Sequence, residues 1–185
     1  MLPDFRNNKE AFAAFIQNHQ QQVINTALGI VQNHEDAEEI AQDVFLEVYH
    51  QYQNFKGDSS VSTWLYRITT NKCIDLLRKK KSKKRFAFIT SLFQPESNEP
   101  VADIAHFVHP GVQAENKEKA KYLFKAVEQL PEKQKTAYIL CEVEMLSYQE
   151  IAEIMGLSVS SVESLLFRAR QNLRKILENF YRKHL

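Results

Sequence analysis

The apolar positions of this chain recur at steps of three and four, not two, and predict a protein built almost wholly of helices. Asn7 to Val31 carries Phe12, Phe15, Ile16, Val23, Ile24, Ala27, Leu28 and Val31 on such a stripe, which predicts one long helix or two in line. Gln32-Asn33-His34 interrupts it. Glu35 or Asp36 then opens a second helix, with acids at its positive end and Ile40, Val44, Phe45, Val48 and Tyr52 inward. Asn54 to Ser60 is a loop by composition. Ser59 or Ser60 is expected to cap a third helix from about Val61 to about Lys80, with Val61, Trp64, Leu65, Ile68 and Leu76 on its buried face. From Ser82 to about Glu115 no period persists and Pro95, Pro100 and Pro110 fall here, so a linker is expected, with a short helix near Val101 to Phe107. Asn116 to Leu130 is helical again, and Pro131 is placed as the first residue of a further helix through about Val143.

The stretch from Leu146 to Lys175 carries the most information. Ser147 and Glu150 have capping-box spacing, which starts a short helix over Tyr148 to Met155. Gly156 supplies a tight turn, and Ser158 caps a longer helix from Val159. Two capped helices about a glycine make a helix-turn-helix candidate. The second helix buries Val162, Leu165, Leu166, Ala169, Leu173, Ile176, Leu177 and Phe180. Ser160, Glu163, Ser164, Phe167 and Gln171 point the other way, with Arg168, Arg170, Arg174 and Lys175 on the flanks. Short polar groups at the start of such a helix can enter a major groove, and the cations behind them can reach phosphates. An amphipathic helix alone is ordinarily a solvated face over a core; the capped pair is what favours DNA. Phe167, on the polar side, either meets a thymine methyl or covers a neighbouring helix.

A second polar face lies on the third helix, where Thr63, Arg67, Asn71 and Arg78 follow one another at helical steps beside Phe55, Tyr66 and Trp64. These are the parts for phosphate binding and base stacking. The plain alternative is a solvated face, with the Trp64 ring as a core anchor.

Composition narrows the rest. The chain has 185 residues, enough for one or two small domains, and its 4 glycines and 5 prolines suit helices. It lacks both an apolar run of membrane-spanning length and a signal-peptide core, so a cytoplasmic protein with no membrane insertion is expected. The net charge of +1 is modest for a protein that grips DNA unaided, but it is unevenly spread. Gln32 to Gln53 holds Glu35, Asp36, Glu38, Glu39, Asp43 and Glu47 with no Lys or Arg, whereas Arg78 to Arg85 is almost entirely basic. Two partners of opposite character are implied. Cys73 and Cys141 belong to no C-x-x-C and are expected to be reduced and partly buried. His106 and His109 have a metal-compatible spacing without supporting ligands, so they read as solvated. No nucleophile–base pair, metal motif or phosphate loop stands out; no cofactor and no enzymatic activity are expected.

D-A-E-E-I-A-Q-D-V-F-L-E-V-Y (36–49), F-K-G-D-S-S-V-S-T-W-L-Y-R-I-T-T-N-K-C-I-D-L-L-R-K (55–79), L-P-E-K-Q-K-T-A-Y-I-L (130–140) and the helix-turn-helix together resemble a bacterial RNA polymerase sigma factor of the extracytoplasmic-function group. The resemblance covers nearly the whole chain outside the linker. It implies an all-α protein of two small domains: a region-two-like domain over 1–81, a linker over 82–115 and a region-four-like helix-turn-helix domain over 116–185. It implies core RNA polymerase as a partner, through the β′ clamp and the β flap, with Asp36, Glu39 and Asp43 as docking candidates. Promoter DNA would be opened at the minus-ten element by Phe55, Lys56, Ser60, Thr63, Arg67, Asn71, Arg78 and Lys79. The minus-thirty-five element would be read by Ser160, Ser161, Glu163, Ser164, Phe167, Arg168 and Gln171, with Arg170 and Arg174 near phosphates. Members of this group are commonly held inactive by a membrane-anchored anti-sigma factor, so such a partner is implied too. Leu165, Phe167 and Glu163 stand where many relatives carry arginine, histidine and lysine, so no minus-thirty-five sequence carries over. A stand-alone dimeric helix-turn-helix regulator would leave the acidic helix and the basic block without a task; a protein that binds polymerase without reading DNA is the other alternative.

Overall fold

The computed structural model describes residues 4–93 and 117–184, and side chains at 4–83, 122–178 and 182. The helices are α1 (Lys9–Val31), α2 (His34–Gln51), α3 (Val61–Phe93), α4 (Lys117–Glu128), α5 (Glu132–Glu142), α6 (Tyr148–Met155) and α7 (Val159–His184), with a 3-10 turn at Tyr52–Asn54. No strand occurs among the described residues.

Local chemistry sets most of the boundaries. The Asn8 side chain accepts the Ala11 N–H at 2.9 Å and starts α1. Gln32 ends it in the left-handed region at φ 57°, its N–H donating to the Leu28 carbonyl at 2.8 Å. Asn33 then caps α2 by accepting from the Asp36 N–H at 2.9 Å, so α2 starts slightly before the expected acids and keeps them in its first turn. α3 departs from expectation: it continues to Phe93 instead of ending near Lys80. Lys and Arg are good helix formers, and neither Gly nor Pro occurs between Val61 and Pro95, so the basic block extends the helix. The expected short helix at 101–107 lies outside the described residues.

α1, α2 and α3 form a three-helix domain around Val23, Leu28, Val44, Val48, Leu65 and Cys73, all essentially inaccessible. Phe5, ahead of α1, plugs one end with its ring about 5 Å from those of Phe12, Phe15 and Tyr52. Nothing in the periodic pattern announced it. α4 to α7 form the second domain, where Leu140, Ile151, Val162 and Leu166 are fully buried together.

The two domains pack directly on each other, α1 against α5 and α3 against α5 and α6. One apolar cluster runs across the seam, from Leu28 and Leu65 to Val127, Ile139 and Leu173. This explains why Thr26, Gly29 and Ile30 are buried although they lie off the predicted stripe of α1. They form a second face turned to the other domain. Gly29 sits so close to Ile139 that a Cβ on it would lie 2.9 Å from Ile139 Cγ2.

Candidate nucleic-acid interface

The helix-turn-helix forms as its sequence predicts. The Ser147 hydroxyl accepts the Glu150 N–H, and the Glu150 carboxylate accepts the Ser147 N–H at 2.8 Å. The Ser147 hydroxyl also donates to the Glu150 carboxylate at 2.7 Å, and this bond first, with the one from the Ser147 N–H, holds the Glu150 carboxyl below the usual range. Gly156 adopts φ 63°, a left-handed cap that returns the chain toward Ser158. The Ser158 hydroxyl accepts the Ser161 N–H at 3.3 Å and lies 2.8 Å from the Ser161 hydroxyl. Ser161 is therefore partly committed to the cap.

Val162, Leu166, Ala169 and Leu173 are buried, with Leu165, Ile176 and Leu177 half-buried. Ser160, Ser161, Glu163, Ser164, Phe167, Arg168, Arg170, Gln171 and Arg174 are all exposed. Phe167 is 61% exposed, so it covers no neighbouring helix and projects from the exposed polar face of α7. Arg170 is tethered to Glu142 of α5 at 2.7 Å, whereas Arg168 borders a shallow groove of about 380 Å³ with Lys133, Ser160 and Ser164. Lys133 escaped the sequence reading. It stands in the first turn of α5, and only the fold of the two helices brings it beside α7.

On α3 the expected polar row divides. Ser60 caps the helix: its Oγ accepts the Thr63 N–H at 3.0 Å and lies 2.8 Å from Thr63 Oγ1. Thr63 is buried, so it shapes the helix start more than it offers a surface. Asn71, Lys79, Arg78 and Lys56 are exposed, Arg78 beside Asp75 at 3.5 Å. Phe55 stacks against a half-buried Trp64 with 5.0 Å between ring centroids. Tyr66 and Arg67 turn toward the second domain. The Tyr66 hydroxyl donates to Glu144 at 2.9 Å, and Arg67 reaches the Glu153 carboxylate and carbonyl at 3.2 Å. Burial first, and Glu144 beside it, push the Tyr66 hydroxyl far up.

The acidic row on α2 also divides. Asp36 is largely covered and pairs with Lys80, and Glu47 pairs with Lys72 at 2.9 Å. Glu39 and Asp43 are exposed, with no ion pair among the described residues. Further along the same helix, exposed Leu46 borders an apolar groove of about 570 Å³ between α1 and α2 lined by Phe12, Ile16, Ile24 and Phe45.

Cys73 is buried and Cys141 half-buried, and both are free thiols. Burial pushes Cys73 up and, at the seam, pushes the Lys135 ammonium down against the nearby carboxylates of Glu128 and Glu132. Among the described residues no group of His, Cys, Asp and Glu could hold a metal ion, and no helix is long and apolar enough to cross a membrane. His106 and His109 lie outside the described residues.

Comparison with known proteins follows the same division. Residues 4–83 match the family Sigma-70 region 2, and residues 120–173 match Sigma-70, region 4. The chain is 30% identical over 187 residues to the RNA polymerase sigma-H factor of Pseudomonas aeruginosa, covering 96% of this chain and 92% of that protein. It is 30% identical to the ECF RNA polymerase sigma factor SigW of Bacillus subtilis, covering 94% and 92%. Against the ECF RNA polymerase sigma-E factor of Escherichia coli the identity is 28%, over 96% and 92%. Among solved structures, the sigma factor RpoE in complex with the anti-sigma factor NepR from Bartonella quintana has the same fold, with TM-score 0.66, 23% identity and coverage of 90% and 96%. CnrH, solved in complex with the cytosolic domain of CnrY, is similar at TM-score 0.63 and 22% identity, with coverage of 95% and 93%.

Proposed function

The chain belongs to the RNA polymerase sigma factors of the extracytoplasmic-function group, and from that premise we propose how its residues divide the work of promoter recognition. The region-two-like domain, 1–81, docks on the β′ clamp of core polymerase through Glu39 and Asp43, with Asp36 behind them held by Lys80. Its α3 and the loop before it engage the minus-ten element through Phe55, Lys56, Arg67, Asn71, Arg78 and Lys79, with Ser60 and Thr63 setting the start of the helix. The region-four-like domain, 116–185, reads the minus-thirty-five element with Ser160, Glu163, Ser164, Phe167 and Gln171. Arg168 and Arg174 meet phosphates there, Ser161 supports the cap, and Arg170 is steadied by Glu142. The second domain also rests on the β flap.

The observation that carries this reading is the exposed α7 face beside a separate Arg/Asn face on α3. Each face alone offers few cations, and the net charge is +1. Core polymerase would hold both at once, so the second contact becomes intramolecular and gains from a high effective concentration. Unstacking the minus-ten DNA costs about a few kcal/mol per step, offset by stacking of the freed base on protein. None of this requires bond chemistry, and the protein acts as an initiation factor in the cytoplasm and not as an enzyme. An anti-sigma factor would hold it inactive.

Run-off transcription on fragments of its own genome, with purified core polymerase, tests the reading. Transcripts that appear only with this protein are expected. Core binding without any transcript would favour an interaction protein, and tight duplex binding without core would favour a stand-alone regulator.

A further inference from the structure

Glu163 stands on the exposed face of α7 with nothing in the fold to account for it. The residues three and four places away are Val159, Ser160, Leu166 and Phe167, so no cation completes a helical ion pair. Among the described residues Glu163 takes part in no hydrogen bond or ion pair. The neighbouring glutamates are all engaged: Glu150 in the cap of α6, Glu142 on Arg170 and Glu153 on Arg67. As the fifth residue of α7, Glu163 also lies beyond the first turn, where the helix dipole favours an acid.

On a surface that approaches duplex DNA such an acid is a handicap. It faces a groove edged by phosphates and cancels part of the attraction of Arg168 and Arg174. The handicap becomes discrimination, because an ionised carboxylate can only accept hydrogen bonds. In the major groove guanine offers two acceptors, and thymine an acceptor and a methyl group. Cytosine offers its N4 amine as a donor, and adenine an N6 amine beside an acceptor. We propose that Glu163 is a specificity-determining residue of the region-four-like domain: its carboxylate accepts a hydrogen bond from the N4 amine of a cytosine in the minus-thirty-five element and penalises the other bases at that position. The inference rests on the reading of α7 as the minus-thirty-five helix. Ser160 and Ser164, short and exposed on either side, let the helix come close enough for a glutamate to reach a base edge. Exposed Phe167, one turn on, supplies an apolar wall that excludes water beside the contact, which strengthens a charge-assisted hydrogen bond. A residue that repels the wrong sequence as well as binding the right one sharpens the choice and weakens the general grip.

The test uses the full chain with core polymerase on promoters recovered by run-off transcription, their minus-thirty-five window randomised and the transcripts sequenced. The wild type should enrich cytosine at one position of one strand. Glu163→Gln, whose amide fits the N6 and N7 edge of adenine, should shift the cytosine-to-adenine ratio there about tenfold towards adenine and leave the other positions alone. Glu163→Ala should accept any base at that position and transcribe more from windows without the cytosine, because the repulsion is gone. Both variants change only an exposed side chain, so the fold is kept. N4-methylcytosine at the same position keeps its pair with guanine but replaces the N–H that faces the groove. It should lower wild-type transcription about tenfold and leave Glu163→Ala unaffected. A preference that survives Glu163→Gln unchanged, or N4-methylcytosine acting equally on wild type and Glu163→Ala, would overturn the inference while transcription by this protein stands. No specific transcript from any window would overturn the functional reading, and the inference with it.

Discussion

Ser147 and Glu150 exchange bonds at the entry of α6, and the whole device is written within four consecutive residues. That is why it was legible: every partner is local. Ser147→Ala should destabilise the protein by about 1 kcal/mol in urea denaturation at neutral pH, the usual worth of such a cap. The sign with pH follows from Glu150. Its folded pKa is depressed by Ser147, so its share of the stability is present above the ordinary glutamate value and lost as pH falls through the folded one. The gap between variant and wild type should narrow in acid; a gap that widens would assign the stabilisation elsewhere. Thr26, Gly29 and Tyr66 were illegible at this scale for the opposite reason. Their partners, Glu144 and Ile139, lie in the other domain, and no spacing along α1 or α3 encodes that encounter.

At the scale of the element, helix existence and facing were legible wherever one apolar stripe met one core, as in α2, α6 and α7. α3 outruns its expected end because the apolar period lapses at Ser82, whereas the helix itself meets no glycine or proline before Pro95. α1 was read with one buried face because periodicity cannot announce a second one. The turn between α6 and α7 gives a clean prediction. At Gly156 a Cβ would meet nothing within 4 Å, so the cost of a side chain there is conformational and not steric. Gly156→Val should lose about 1–2 kcal/mol, the left-handed penalty, measured by thermal melting. A neutral result would mean that the turn relaxes to another conformation.

At the scale of the molecule, the sign of the charge separates the two proposed tasks. The exposed Glu39 and Asp43 lie on α2, and the exposed Asn71 and Arg78 lie on α3. Glu39→Lys with Asp43→Lys should abolish core polymerase binding while leaving the fold intact. Arg67→Ala with Asn71→Ala should keep core binding and lose promoter opening, read as permanganate reactivity of minus-ten thymines. Swapped phenotypes would exchange the two assignments. Charge asymmetry was visible in the sequence, but which acids remain available was not, because Lys80 and Lys72 reach across from α3 to occupy Asp36 and Glu47.

The apolar cluster that crosses the seam has a consequence for heredity as well as for stability. Leu173 and Ile139 belong to the same buried cluster as Leu28 and Leu65. Domains that share an interior also share the damage done to it. A substitution at Leu173, in a helix assigned to upstream DNA, would loosen the bundle assigned to promoter opening. In a genetic screen, alleles that impair one step of initiation would therefore map to both halves of the chain, and their positions would trace the common interior instead of the surface that performs the step.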